Sequence, residues 1–166
     1  KLNEGGGNAV IDAKAFTELY RSVYKELYRF ALCMMKHPQD AEDAVSEAVI
    51  SAYENIHKLK KDEAFKSWIF TILSNVCRKK LKAKERTESE LKPEHIAGGG
   101  DADSGLREDV QNAFFILSEE ERLVVSLSVF GGYNSKKIGA ILDLNANTVR
   151  SKRSRALEKM SLILKE

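Results

Sequence analysis

Apolar residues recur at three- and four-residue steps from the start of the chain's regular portion. Phe16, Leu19, Tyr20, Val23, Leu27, Phe30, Ala31 and Met34 fall on one face of a helix predicted from about Asp12 to Lys36. Asp12 is its candidate N-cap. His37-Pro38 ends that helix and opens the next, because proline suits a first helical turn, where its missing N–H costs nothing. The second helix turns Ala41, Ala44, Val45, Ala48, Val49, Ala52 and Ile56 inward and Asp40, Glu42, Asp43, Glu47 and Glu54 outward. A polar loop, His57 to Ala64, leads to a third helix with Phe65, Trp68, Ile69, Ile72, Leu73 and Val76 inward. That helix then becomes basic through Arg78, Lys79, Lys80, Lys82, Lys84 and Arg86.

Periodicity then lapses. Glu85 to Gly105 is almost free of large apolar residues, contains Pro93 and a glycine triplet (Gly98 to Gly100), and reads as a linker. A second triplet, Gly5 to Gly7, marks a flexible tail over residues 1–11. The expected organisation is therefore a tail (1–11), a first module (12–84), a linker (85–105) and a second module (106–166). In the second module Leu106, Val110, Ala113, Phe114 and Leu117 share one helical face. Ser118-Glu119-Glu120-Glu121 reads as a capping box opening a helix with Leu123, Val124, Leu127 and Phe130, which stops at Gly131-Gly132. A short helix from Ser135 to Leu142, capped by Asn134, and a longer one from Ala146 to about Leu164, capped by Asn145, are joined only by Asp143-Leu144-Asn145.

Composition supports an all-α class of two small helical domains. Only two prolines and 8% aromatic residues occur, so long helices run uninterrupted and a sandwich or barrel is disfavoured. No stretch of about 18 apolar residues exists, so no membrane span is expected, and the polar amino end resembles no secretory signal. Cys33 and Cys77 lie far apart on mainly apolar faces, which predicts reduced core cysteines in a cytoplasmic protein, without a disulfide or zinc site. His37, His57 and His95 have no partner spacing that makes metal ligands or a nucleophile–base pair, so neither catalysis, a metal nor a cofactor is expected.

Net charge is +2, which alone does not announce a nucleic-acid binder, but the charge is unevenly placed. Between Lys36 and Lys58 there is no Lys or Arg, whereas Arg78 to Arg86 and Arg150 to Lys159 are basic. On this reading one acidic helix cancels two basic segments. Ile138, Ile141, Leu142, Leu144, Val149 and Leu157 would pack a short helix across a longer one through a three-residue turn, the geometry of a helix-turn-helix. The longer helix then presents Asn147, Thr148, Arg150, Ser151, Lys152, Arg153, Ser154 and Arg155 outward. Guanidinium forks bond guanine edges, and amides, hydroxyls and ammonium groups reach bases or phosphates. A solvated basic helix is the plain alternative, and the compact turn and near absence of acid from Ala146 to Leu157 favour DNA.

Two long segments carry a family resemblance. HPQDAEDAVSEAVISAYENI followed by FKSWIFTILSNVCRKKLKAKER resembles conserved region two of bacterial sigma factors of the extracytoplasmic-function group. LSEEERLVVSLSVFGGYNSKKIGAILDLNANTVRSKRSRALEKM resembles their region four. The resemblance implies partners: core RNA polymerase through its beta-prime and beta subunits, promoter DNA, and an anti-sigma factor that occludes one or both modules and is often tied to the membrane. It also implies roles. Glu42, Asp43, Ser46, Glu47 and Ile50 match the surface that grips the beta-prime coiled coil. The loop from His57 to Lys66, with Lys58, Lys60 and Lys61, matches one that captures an unstacked minus-ten base. Phe65, Lys66, Asn75, Arg78, Lys79 and Lys82 match the helix that follows DNA there, Phe65 at a place where a base could stack. Asn147, Thr148, Arg150, Ser151, Ser154 and Arg155 belong to the minus-thirty-five reader, the last four facing the major groove.

Departures from the family pattern are specific. Primary sigma factors carry adjacent duplex-opening aromatics where Thr71 and Ile72 stand here, Ser46 replaces a usual glutamine, Arg153 occupies a commonly apolar place, and Asp143 replaces a turn glycine. A flexible linker of about 21 residues has an r.m.s. span of roughly 25 Å and a contour limit near roughly 73 Å. Promoter elements about sixteen base pairs apart, as the family implies, are separated by roughly 55 Å. Polymerase must therefore hold the modules apart. In the free protein they are expected to be mobile, or closed against each other or an inhibitor. The competing readings are an autonomous helix-turn-helix regulator, and an adaptor that binds polymerase without reading DNA.

Overall fold

The computed structural model describes residues 12–88 and 105–164. The tail, both glycine triplets, Pro93, His95 and the last two residues lie outside the described residues. Among the described residues there are seven α-helices: α1 (Ala13–Met35), α2 (Pro38–Glu54), α3 (Phe65–Glu88), α4 (Glu108–Phe114), α5 (Glu119–Val129), α6 (Ser135–Leu142) and α7 (Ala146–Leu164). No strand occurs among the described residues.

Local chemistry explains the boundaries. Asp12 Oδ1 accepts from the Ala15 N–H at 2.7 Å and caps α1. Lys36, at φ 75°, turns the chain out of α1 while its N–H still donates to the Leu32 carbonyl, and Pro38 then occupies the first turn of α2. In the second module the capping box forms in both directions: the Ser118 N–H donates to Glu121 Oε1 at 3.0 Å and the Glu121 N–H to Ser118 Oγ at 3.2 Å. Asn134 and Asn145 cap α6 and α7 through their side-chain oxygens. Gly132 takes φ 71°, which ends the α5 segment as glycine permits.

Several expectations change. The stretch from His57 to Ala64 is not simply polar loop: turns of 3-10 helix at Ile56–Lys58 and Asp62–Ala64 flank Leu59, and Ile56 and Leu59 are buried. Helix α3 runs on to Glu88, past the expected linker start, and residues 89–104 lie outside the described residues. Leu157 is 47% exposed rather than packed. The buried stripe of α7 is Val149, Ala156 and Met160, at steps of seven and four residues, and Leu157 falls one position off it.

The largest change concerns α1. From Leu27 to Met35 every residue except Arg29 is buried, and α5 is buried from Leu123 to Leu127. One-sided amphipathicity does not predict this. It arises because α1 packs on α2 and α3 along one side and on α4 and α5 along the other. The hydrophobic core is consequently continuous: Phe30, Phe70 and Leu73 belong to the same cluster as Leu123, Leu127, Ile138 and Val149. Phe70, not among the expected inward residues, meets Phe30 edge-on at 5.7 Å and Tyr133 of the second module at 5.9 Å. The modules are closed against each other, one of the arrangements expected of the free protein.

Candidate nucleic-acid and docking interfaces

Helices α6 and α7 are set by their turn. Asp143 sits in the left-handed region (φ 56°, ψ 50°), and its N–H and that of Leu144 both close on the Gly139 carbonyl. Gly139 is required by contact: a Cβ there would lie 2.5 Å from the Leu144 carbonyl oxygen. With Ile138, Leu142 and Val149 buried beneath, α7 is held with its polar face outward. Asn147, Thr148, Arg150, Ser151, Ser154 and Arg155 are all exposed. Arg150, Ser151, Ser154 and Arg155 line one shallow depression, and Asn147 Oδ1 accepts from Arg150 Nη1, which orients the guanidinium. Such a surface offers forked donors and hydroxyls within one turn of each other, the donor set that base edges and phosphates accept.

Not every cation of α7 joins it. Lys152 pairs with Glu120 at 3.5 Å, Arg153 is half-buried, and Lys159 bonds both oxygens of Glu121 at 2.9 and 3.1 Å. Lys152, expected outward, is therefore turned toward its own module. Glu121 is nearly buried, which works against its charge. The Ser118 N–H and the Lys159 ammonium outweigh burial and hold its carboxyl below the ordinary value.

The basic end of α3 divides in the same way. Lys80 lies 3.0 Å from Glu47 and Lys84 2.8 Å from Asp40, so these two cations tie α3 to α2. Asn75, Lys79 and Lys82, spaced by four and three residues, form an exposed stripe. Arg78, beside them, is half-buried in a pocket shared with Ser118, Glu119, Glu120, Leu123, Leu142 and Leu144 of the second module. Lys58, Lys60 and Lys61 are exposed on the loop, and Lys66 is half-buried. Phe65 is only 2% exposed, edge-on to Phe16 at 5.7 Å, so the expected stacking surface for a base is instead a core contact. Trp68 is half-buried against the core, consistent with an anchor. Thr71 is half-buried too, its hydroxyl donating to the Ser67 carbonyl.

On α2, Glu42, Asp43, Ser46, Glu47 and Ile50 are all exposed, Ile50 at 59%. With Asp40 and Glu47 already paired to α3, the acids directed to solvent are chiefly Glu42, Asp43 and Glu54, and Asp43 accepts from Gln39. The charge of the acidic helix and of the two basic segments is thus in part paired internally. Tyr53, which sequence reasoning missed, extends this stripe: it is half exposed, three residues beyond Ile50, and rests edge-on against Phe16 at 5.2 Å. Its signal was the same spacing that marks Ser46 and Ile50.

Comparison with known proteins accords with these two faces on one helical chain. The family description "Sigma-70 region 2" matches residues 19–87, and "Sigma-70, region 4" matches residues 107–160. The chain belongs to the sigma-70 family of RNA polymerase sigma factors, in its extracytoplasmic-function group. It is 28% identical to the ECF RNA polymerase sigma factor SigM of Mycobacterium tuberculosis, over 92% of this chain and 79% of that protein. It is 29% identical to the ECF RNA polymerase sigma-E factor of Escherichia coli, over 72% of this chain and 71% of that protein. Its fold matches the sigma factor RpoE solved with the anti-sigma factor NepR from Bartonella quintana, with a TM-score of 0.77 at 24% identity, covering 92% of this chain and 98% of that one. It also matches CnrH solved with the cytosolic domain of CnrY, with a TM-score of 0.68 at 21% identity, covering 93% and 90%.

Proposed function

We propose that the protein binds core RNA polymerase through α2 and directs it to promoters by reading two DNA elements, the minus-ten element along α3 and the minus-thirty-five element along α7. The observation that carries this reading is the exposed face of α7, where Arg150, Ser151, Ser154 and Arg155 line one surface behind a helix-turn-helix. The same chain presents an acidic and apolar stripe, Glu42, Asp43, Ser46, Ile50 and Tyr53, suited to a basic protein helix. Lys58, Lys60, Lys61, Lys66, Asn75, Lys79 and Lys82 are assigned to minus-ten DNA, with Arg78 joining once the second module moves away. The protein works in the cytoplasm, catalyses no reaction of its own, and is a target for an anti-sigma factor. No helix among the described residues is long and apolar enough to cross a membrane.

Transcription in vitro with purified core polymerase tests the reading, which fails if no promoter-specific transcript appears with any genomic template. Arg150→Ala with Arg155→Ala is expected to lose promoter discrimination while keeping polymerase binding, by about 1–3 kcal/mol for each bidentate contact removed. Glu47 already serves Lys80, so the cleaner docking variant is Glu42→Lys with Asp43→Lys. It should lose polymerase affinity while the fold is kept, and intact affinity refutes the docking face.

A further inference from the structure

We propose that Glu120 sets the affinity of the α7 surface: it withholds Lys152 from the phosphodiester backbone of DNA, so that α7 engages a duplex through its base-reading groups with little sequence-independent attraction. This rests on the assignment of α7 to DNA. Thr148, Lys152, Arg155 and Lys159 follow one another at steps of four, three and four residues and form one stripe along the helix. At 3.6 residues per turn the stripe is centred about 100° round from the face made by Arg150, Ser151, Ser154 and Arg155. When a helix lies in the major groove, side chains at its centre meet base edges and those on its flanks meet the phosphate walls. Lys152 and Lys159 stand where such flank contacts are made, yet the ammonium groups of both are engaged by acids at the start of α5.

The two acids are not equivalent. Glu121 is 9% exposed, belongs to the capping box and bonds Lys159 through both oxygens, so that contact is part of how the module holds together. Glu120 has no part in the cap. Its side chain is 45% exposed and lies 3.5 Å from the ammonium of Lys152, whose own side chain is only 23% exposed. A single surface pair of this length adds little to stability. Its consequence is electrostatic: a phosphate approaching that flank meets a cation already neutralised and a carboxylate beside it. Each phosphate that a protein neutralises releases counterions, which strengthens binding to every sequence alike and makes it salt-dependent. Weak attraction of this kind leaves the chain free for polymerase, since all genomic duplex competes for it. Asn147 fixes where Arg150 points, and Glu120 fixes how much unspecific charge accompanies it.

The test is binding of the full chain to a fluorescent duplex of arbitrary sequence, read by anisotropy over a range of salt concentrations. Glu120→Gln should steepen the slope of log affinity against log salt by about 0.9, the signature of one added phosphate contact, and tighten binding about eightfold at about 0.1 M salt. Lys152→Met alone should change neither, and combined with Glu120→Gln it should abolish the gain. Arg78 lines the same pocket as Glu120, and this second variant is what attributes the gain to Lys152. Glu108→Gln removes the same charge from the exposed start of α4 and should leave the slope unaltered. An ion pair with a merely structural role would not move the slope. The withholding is overturned by an unchanged slope in Glu120→Gln, by a gain that survives the loss of Lys152, or by an equal gain in Glu108→Gln. A flatter slope in Lys152→Met overturns it too, because Lys152 then already serves DNA. A duplex carrying a matched promoter should tighten by the same factor, since a phosphate contact is blind to sequence, and tightening confined to that duplex would make Lys152 a base reader and sink the proposal. Steepening by Glu120→Gln without any promoter-specific transcript in the polymerase assay refutes the promoter-reading function and leaves the withholding intact. A transcript with an unchanged slope does the reverse.

Discussion

Gly139 and Asp143 show how single positions decide whether α7 can present its reading face. A Cβ at 139 would meet a backbone oxygen, which cannot move aside as a flexible side chain can. Gly139→Ala is therefore expected to cost about 1–3 kcal/mol, read as a lower midpoint in urea unfolding. Asp143 holds a left-handed conformation that costs an L-residue roughly 1–2 kcal/mol. Asp143→Gly should leave the midpoint unchanged or raise it, whereas Asp143→Val should lower it, and the opposite order would refute the strain. Asp143 was legible in the sequence as a left-handed turn residue, because aspartate tolerates that region. Gly139 was not, because the atom that forbids a side chain is the backbone oxygen of Leu144, folded back over it by the turn. Phe65 failed for a related reason. Its place beside a loop made it a candidate base platform, and only the position of Phe16, brought up by α1, shows that its faces are covered.

At the level of elements, helix starts were readable because a cap is local: an oxygen three residues ahead of the N–H it accepts needs no tertiary information. The partners of exposed-looking charges were not. Glu121 was expected as half of a capping box, and it also receives Lys159 from α7, which clips the far part of α7 to the start of α5. A carboxylate held below its ordinary value contributes stability that is complete above that value and is lost as pH falls through the lowered one. Glu121→Gln should therefore cost about 1–2 kcal/mol near neutrality. Its deficit against the unaltered protein should then shrink as pH falls below the ordinary glutamate value of 4.5. A deficit that stays constant from pH 6 to pH 3 would show that the charge is not what matters. Helix α3 divides its cations in a comparable way: Lys80 and Lys84 hold α2, and Lys79 and Lys82 face solvent. Helical periodicity separates these two sets, but which set meets α2 depends on where α2 lies.

For the whole molecule, the decisive feature is a core that runs through both modules. Tyr133 contributes an apolar ring to it and a hydroxyl with no partner, and burial pushes the phenol up to about 12. Tyr133→Phe removes the orphan oxygen and keeps the ring, so it should raise the thermal midpoint, by about 1 kcal/mol in stability. A lower midpoint would mean that the hydroxyl has found water or another acceptor. Phe70→Ala should cost about 3–5 kcal/mol, since it empties a place touched from both sides. The sequence by itself determined the helices, their caps, the two-module order and the helix-turn-helix. All of these follow from spacing along one strand of chain. Only the tertiary structure decided that α1 is buried on two sides, that Asp40, Glu47, Lys80 and Lys84 neutralise one another, and that the modules close on Cys33. The physical reason is that periodicity reports which face of a helix avoids water, and not which of several apolar faces, joined by a linker long enough to allow many arrangements, that face will meet.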